Sequence, residues 1–412
     1  MTEPTITVYG AYWCPDCRRS KQFLGEHQIP YSWIDIEQDA EAEQFVIQTN
    51  DGKRIIPTIV FEDGSHLTEP SNADLAEKLG LKTTASRHHY DLIVVGGGPA
   101  GLTTALYTAR EGIDTLVIER AALGGQAAAT EKLDNMPGFP ESIQGIDFSN
   151  RLRQQAEKFG VELLQAQDVT SIHSHDNYHC ITTADGSEYS GQALLIATGS
   201  RYRRLNVPGE SDYLGAGVHF CATCDGPFYK GKQVAVIGGG NSATEESLLL
   251  TKFADKVTIL VRGEEFKASK IIQESVLSNS KIEVRWNTEV AEFKGKDSKL
   301  NQLQLVNNQT GDEEPLPIDG TFIFIGLVPN SAFLANSGVQ LDEWGFIVTG
   351  HDLVHDGPLA QFGGREPSAL ETSVPGIFAA GDVRAESTKQ VASAAGEGAT
   401  AALLIREYLK TV

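Results

Sequence analysis

Basic residues are scarce in this 412-residue chain: 34 Lys and Arg stand against 55 Asp and Glu, for a formal net charge of −21. That balance repels the phosphates of nucleic acid and the headgroups of anionic membranes, so neither is expected as a partner. Long apolar runs are missing too. None approaches the ~18 residues that span a bilayer, and Met1-Thr2-Glu3-Pro4 has neither the basic start nor the apolar stretch of a secretory leader. A cytoplasmic location is expected. Cysteine is sparse, with five residues, too few for a secreted disulfide scaffold. Four of them form two pairs, Cys14-Pro15-Asp16-Cys17 and Cys221-Ala222-Thr223-Cys224. In a reducing compartment such pairs point to redox chemistry. Zinc wants four ligands, and no further Cys or spaced His pair lies near Cys14, so no metal is expected.

Glycine, by contrast, is abundant at 41 residues, and the 41% apolar content is ample for globular cores. A chain of this length predicts two or three domains. Two glycine loops stand out. Tyr90 to Val95 reads as a buried strand running into Gly96-Gly97-Gly98-Pro99-Ala100-Gly101, with a helix from Leu102 to Gly112. Strand, turn and helix in that order let a pyrophosphate approach the helix N-terminus. The next strand, Thr115 to Ile118, ends at Glu119, where a carboxylate accepts from a ribose 2′-hydroxyl and repels a 2′-phosphate. This loop therefore suits FAD or NAD. The second loop, Gly238-Gly239-Gly240-Asn241-Ser242-Ala243, follows the strand Gln233 to Ile237 and opens a helix from Asn241 to Phe253. Here the strand after it, Val257 to Val261, ends at Arg262, with Lys267 and Lys270 beyond. Arginine in place of the acid suits the 2′-phosphate of NADPH.

In the first 80 residues, Ile6 to Tyr9 alternates like a strand. A helix over Arg18 to Gly25 puts Cys14 at its N-terminus, where unpaired N–H groups and the helix dipole favour a thiolate. Arg18, Arg19 and Lys21 add positive charge. Cys14 is expected to be open to outside substrates. Tyr31 to Ile36 and Ile55 to Phe61 read as further strands, with Pro57 fitting an edge or a cis bond. The segment resembles the glutaredoxins, especially the small mycoredoxin-like ones, through Trp13-Cys14-Pro15-Asp16-Cys17, Ile36 to Asp39, Ile56-Pro57-Thr58 and Asp63-Gly64-Ser65. The resemblance implies a thioredoxin fold, Cys14 as attacking and Cys17 as resolving thiol, and Pro57 as the cis-proline. Trp13, Pro15, Arg18, Pro57 and Thr58 are its implied substrate-binding positions. Gly64-Ser65 departs from the Gly-Gly common in the glutathione loop. Leu81 to His89 is polar and aperiodic and reads as a linker, with His88 and His89 solvated in it.

From Tyr90 to Val412 the chain resembles the low-molecular-weight thioredoxin reductases. Beyond the two loops, the matches are Gly124-Gly125-Gln126, Asn135 to Gly138, Ala197-Thr198-Gly199, Cys221 to Gly226, Thr372 to Asp382 and Lys389-Gln390-Val391. By resemblance, Gly96, Gly98, Pro99, Ala100, Gly101, Glu119, Gly125, Gln126, Asn135, Thr198, Gly199, Gly381, Asp382, Gln390 and Val391 hold FAD. Gly238, Gly240, Asn241, Ser242, Ala243, Arg262 and Lys267 hold NADPH. Cys224 faces the flavin ring, Cys221 attacks the redoxin disulfide, and Asp225 moves a proton. His219 is two residues before Cys221, but Asp225 already fills the acid–base role. Gly263 replaces a second arginine of the family pattern, so the expected NADPH preference has a reduced margin. The stretch from about Gly350 to Leu370 is longer than in the simplest members and reads as a surface loop. Cys180 reads as a small core residue.

The expected class is α/β, with a thioredoxin fold followed by two Rossmann-like domains, the FAD domain discontinuous and the NADPH domain inserted. The expected divisions are 1–80 glutaredoxin-like, 81–89 linker, 90–205 and 332–412 FAD-binding, and 206–331 NADPH-binding. Together they predict a disulfide reductase passing electrons from NADPH through FAD and Cys221–Cys224 to Cys14–Cys17, then to an external disulfide. That acceptor could be a glutathione-like disulfide, a thioredoxin, a glutaredoxin or a peroxidase, and a homodimer is the expected assembly. If the reductase pair sits near thioredoxin's potential, passage to a glutaredoxin is downhill by roughly 2–3 kcal/mol. Alternatives are a reductase acting mainly on a separate redoxin, an FAD-dependent dithiol oxidase, and a flavin-bound sensor. Arg262 argues against the oxidase, which has little use for NADPH.

Overall fold

The computed structural model describes residues 6–27, 29–130, 132–175, 178–296, 299–354 and 359–412. Positions 1–4, read above for a leader, and the Cys224 side chain lie outside the described residues. So do 355–358 within the long loop. The chain forms two compact units, Met1–Ala129 with Gln144–Gly199 and Pro329–Val412, and Thr130–Ile143 with Ser200–Val328.

The first unit begins with β1 (Thr7–Gly10), α1 (Pro15–Glu26), β2 (Ser32–Asp35), α2 (Ala40–Thr49), β3 (Thr58–Val60), β4 (His66–Thr68) and α3 (Asn72–Lys78). The sheet order is β2-β1-β3-β4, with β1 parallel to β2 and antiparallel to β3. Local chemistry starts each helix. Cys14 caps α1 with Pro15 in its first turn, where proline's fixed φ is already helical. Asp39 accepts from the Glu41 and Ala42 N–H groups to cap α2, and Ser71 with Asp74 makes a capping box for α3. Val8, Leu24, Ile59 and Leu75 are fully buried between sheet and helices. Each such aliphatic side chain contributes ~1.5–3 kcal/mol.

The same unit continues through β5 (His89–Val95), α4 (Pro99–Arg110), β6 (Thr115–Ile118), α5 (Gly125–Ala129), α6 (Gly145–Lys158), β7 (Glu162–Leu164), β8 (Val169–Ser174), β9 (His179–Thr183) and β10 (Glu188–Ile196). β7-β6-β5-β10 are parallel, and β9 and β8 extend the sheet antiparallel. Leu92, Ile93 and Val94 are 0% exposed, so β5 is covered on both faces, as an unbroken apolar run in a parallel sheet requires.

The polar segment before β5 is not a loose tether. Glu162 accepts from Lys82 Nζ, the Ser86 N–H and hydroxyl, and Tyr90 OH, while Arg87 pairs with Asp114. Ala166 packs against the apolar cluster of the N-terminal module beside Leu79 and Leu81. His88 and His89 are exposed but bonded, to the Glu188 carbonyl and the Ser190 hydroxyl, and His89 opens β5. The polar side chains that suggested a linker find partners on strands far away in sequence. Cys180 is a second correction: on β9 it is half-buried, because its position alternates with the core-facing His179 and Ile181.

The second unit holds β11 (Ser200–Tyr202), β12 (Val218–His219), α7 (Ala222–Asp225), β13 (Gln233–Ile237), α8 (Asn241–Leu250), β14 (Lys256–Leu260), α9 (Lys270–Leu277) and β15 (Ile282–Arg285). It goes on with β16 (Thr288–Lys296), β17 (Lys299–Asn307), β18 (Glu313–Pro317), β19 (Gly320–Ile323) and β20 (Leu327–Pro329). Its parallel sheet runs β12-β19-β13-β14-β15, and β16-β17-β18 form an antiparallel meander. The chain then returns to the first unit with β21 (Ile377–Ala379), parallel to β10, and α10 (Val391–Leu409). Of the 350–370 stretch, the described residues are largely exposed and are fastened by buried Leu353, Phe362 and Leu370. The fully buried Glu371 carboxylate takes a two-pronged contact from Arg365 and the Ser368 and Gly376 N–H groups.

Candidate active site

The N-terminal thiols sit where the turn after β1 enters α1. Cys14 Sγ accepts the Cys17 N–H at 3.1 Å and is 3.7 Å from the Ile56 carbonyl, which precedes the cis Ile56–Pro57 peptide. Both thiols are free. Burial, with the neighbouring Cys14 sulfur, pushes the Cys17 thiol up to about 12, so it stays protonated. Cys14 is 4% exposed, a correction to the open thiol predicted from sequence. At the head of α1 its sulfur lies behind the Ile56–Pro57 turn. Exposed Tyr12 and Trp13 flank it instead.

The basic residues near Cys14 divide. Arg19 pairs with Asp16 and donates to the Pro70 carbonyl, and Lys21 Nζ lies 4.2 Å over the Trp33 ring. Arg18 is exposed, with no ion pair among the described residues. The Thr58 hydroxyl is tied up internally, donating to the Ile55 carbonyl and accepting from Asn50. An open depression of ≈ 580 Å³, lined by Asp16, Arg19, Glu69, Ser71 and Asn72, adjoins the dithiol turn.

In the larger unit, the first glycine loop is a cradle. Gly96 has φ +109, and a Cβ there would lie 2.4 Å from the Ala197 carbonyl oxygen. Only glycine allows the loop that close to Thr198 and Gly199. Gly98 caps α4 without a side-chain cap and faces open space, and the Ala100 and Gly101 N–H groups of the first turn have no helical carbonyl to bond. Glu119 closes one side: its carboxylate accepts the Gly97 and Ala121 N–H groups, and burial raises its pKa against those hydrogen bonds. Gly125 approaches Gly98 Cα, with Gln126 next to it on α5. Gly381 approaches Ala100, while Gln390 and Val391 begin α10. Asp382 has its pKa raised by burial, with Lys389 opposing. Asn135, in the other unit, lines a shallow depression of ≈ 430 Å³ formed by residues 134–140.

Two supports of this cradle escaped the sequence. Glu397 accepts the Gly381 N–H at 2.7 Å and pairs with Arg384, fixing the turn that carries Asp382. Asn330 and Thr198 exchange hydrogen bonds at 2.7 and 2.8 Å. A signal existed for Glu397. It is a lone charge in the small-residue run Ala394 to Ala402 of α10, and a charge there must find a partner.

The second loop repeats the device. Gly238 has φ +143, and a Cβ would meet the Phe324 carbonyl oxygen at 2.3 Å; Gly240 faces open space at the start of α8. Asn241 Oδ1 accepts the Ser269 N–H, and the Lys267 N–H donates to the Gly239 carbonyl, placing Lys267 beside the loop with Ser242 and Ala243 in the first turn. Arg262 follows β14 with its side chain exposed and its carbonyl held by Asn308. In the same unit Cys221 is disulfide-bonded, in contrast to the free Cys14 and Cys17. The Asp225 N–H donates to the Cys221 carbonyl, so the acid rides on the short helix of the dithiol. His219 stands between Asp225 and Tyr229.

Known proteins match this arrangement. Residues 90–398 match the pyridine nucleotide-disulphide oxidoreductase family, and residues 6–67 match glutaredoxin. A thioredoxin reductase of Bacillus subtilis is 40% identical over 321 residues, covering 78% of this chain and 95% of its own. A solved thioredoxin reductase from Streptococcus pyogenes superposes with a TM-score of 0.71 at 36% identity, over 79% of this chain and all (100%) of that one. One from Giardia duodenalis gives 0.70 at 33% identity, with 79% and 100% coverage.

Proposed function

Since the chain belongs to the thioredoxin reductases of the pyridine nucleotide-disulphide oxidoreductase family and carries a glutaredoxin domain, we propose that its own N-terminal dithiol is the first acceptor of the reductase. The family depends on FAD and NADPH, and the cradles fit them: a glycine without a side-chain cap opens each of two helices, with an acid beside the first and an arginine beside the second. The Gly96 loop with Glu119, Gly125, Thr198 and Asp382 is our assignment for FAD, and the Gly238 loop with Arg262 and Lys267 for NADPH. When bound, these groups supply an electron pair to the Cys221–Cys224 disulfide.

The steps after that belong to the chain. Cys221, as thiolate, attacks the oxidised Cys14–Cys17 disulfide and forms a mixed disulfide. Cys224 then closes on Cys221 and releases the redoxin dithiol. Cys14, at the N-cap of α1, attacks the external disulfide, and Cys17, held as a thiol, resolves the product. The observation that carries the reading is one chain holding two dithiols, each at the head of a helix, together with two dinucleotide cradles. Linkage in one chain keeps the redoxin at about millimolar effective concentration where the geometry reaches. The charged depression at Asp16, Arg19 and Glu69 suits a small disulfide with both amino and carboxyl groups, such as glutathione disulfide. We assign it to a reducing compartment, as a homodimer.

NADPH consumption with glutathione disulfide tests the relay in wild type and Cys14→Ser. Turnover in the first and none in the second is expected, with anaerobic NADPH bleaching both flavins alike. Full activity of Cys14→Ser on every acceptor would remove the N-terminal dithiol from the path.

A further inference from the structure

Next to the Cys221–Cys224 turn lies a buried acid–base chain that the steps above leave unused. His219, ending β12, is 9% exposed. Its ring leans on Phe322, with centroids 5.3 Å apart, and meets Tyr229 edge-on. Nε2 is 2.6 Å from the Tyr229 hydroxyl, and Nδ1 is 3.3 Å from Asp225 Oδ2. Burial, with the charges of Asp225 and Asp319, pushes the Tyr229 phenol upward, so it stays protonated and donates to Nε2. A neutral His219 ring then carries its hydrogen on Nδ1, facing Asp225. Phe322 covers the imidazole, and the Lys232 ammonium lies 5.3 Å over the Tyr229 ring. Asp225, Tyr229, Lys232 and Asp319 are thus the charged and titratable groups around the ring.

We propose that His219 is a positioning residue that keeps a proton available at Asp225 for the Cys221–Cys224 dithiol, with Tyr229 holding its ring in register. This rests on the reading of Asp225 as the dithiol's acid. The balance is simple. Uptake of an electron pair, supplied from NADPH by the established activity, breaks the S–S bond and leaves two thiolates. Asp225 gives its proton to one of them, so the dithiol becomes one thiol and one thiolate. The Asp225 carboxylate takes a proton from Nδ1 of the His219 imidazolium, and the neutral ring that remains recovers a proton from water.

A carboxyl group alone loses its proton in the acid range, whereas an imidazole holds one to near neutrality. His219→Asn keeps a donor towards Asp225 but cannot ionise. In NADPH-driven reduction of 5,5′-dithiobis(2-nitrobenzoate) by flavin-loaded full-length protein, it should lose about tenfold at pH 7 and about twofold at pH 4. Tyr229→Phe should shift the alkaline limb the same way by a smaller amount. Equal loss at both pH values, or none, in the flavin-loaded variants overturns the proposal. Should His219→Asn fail to fold, an unshifted Tyr229→Phe profile overturns it alone. Asp225→Asn separates the two ideas: wild-type turnover in it defeats the reading of Asp225 as acid. Lost turnover in it, with His219→Asn matching wild type at every pH, defeats only the role of His219. An independent readout is the His219 imidazole NMR titration in dithiothreitol-reduced protein. Its midpoint should fall in Asp225→Asn, and an unchanged midpoint counts against the coupling.

Discussion

The two dithiols share a spacing and little else. Cys14 caps the twelve-residue α1, and the one acid within its Cys-x-x-Cys turn, Asp16, is neutralised by Arg19. Cys221 precedes the four-residue α7, whose acid, Asp225, faces a histidine and a tyrosine instead of an arginine. The difference fits the chemistry we propose for each. Exchange between thiols and disulfides passes electron pairs among sulfurs. Opening a disulfide with electrons from a nucleotide also consumes a proton, and of the two centres it is the second whose acid faces a histidine among the described residues.

The largest effect expected from this contrast is that of Cys221→Ser. It should cut turnover of every disulfide by on the order of 10³-fold, whereas Cys14→Ser should spare a small artificial disulfide that reaches Cys221 directly. Equal loss in both variants on that small disulfide would erase the distinction. Cys17→Ser sharpens the comparison from the other side. Because burial holds Cys17 as a thiol, it acts only in resolution. Protein disulfides should lose about a hundredfold while mixed disulfides with a small thiol change by about twofold. A uniform loss would show that Cys17 takes part in the first attack.

Arg262→Ala probes the supply to the second centre. Loss of the 2′-phosphate contact should raise the KM for NADPH about tenfold and leave NADH within about twofold. Parallel shifts would show that Arg262 does not read the phosphate. The smallest effect concerns the segment that joins the two centres. Burial alone would push Glu162 up, but hydrogen bonds from Lys82, Ser86 and Tyr90 bring it down to about 2. A depressed folded-state value means the contribution is whole above the ordinary carboxyl range, near ~4.3. It fades as pH falls towards about 2. Glu162→Gln should therefore speed tryptic cleavage at Arg87 several-fold, on the order of 3–10 times, at pH 7.5. In urea unfolding its deficit against wild type should vanish in acid. A deficit that persists at pH 2 would place its cause elsewhere.

Much of this molecule was readable along the chain. The two dinucleotide loops depend on strand, glycine turn and helix following each other within a few residues. Glu119 and Arg262 sit at the ends of the very next strands, so the residues to which we assign the choice of cofactor are placed by local spacing. Cys14 at a helix start is local too, since Pro15 and the cap geometry lie within the same turn. Partnerships across distance were decided only by the fold. Residues 81–89 read as a linker because the partners of their polar side chains, Glu162 and Asp114, are far off in sequence. Cys14 read as open because the Ile56–Pro57 turn, far off in sequence, covers it. The contacts of His219 beside the second dithiol show the division most clearly. Asp225 follows its cysteine in sequence and could be named at once. His219 and Tyr229 reach it only because β12 and the turn after α7 fold around Phe322, and hydrogen-bond geometry is a property of space and not of order along a chain.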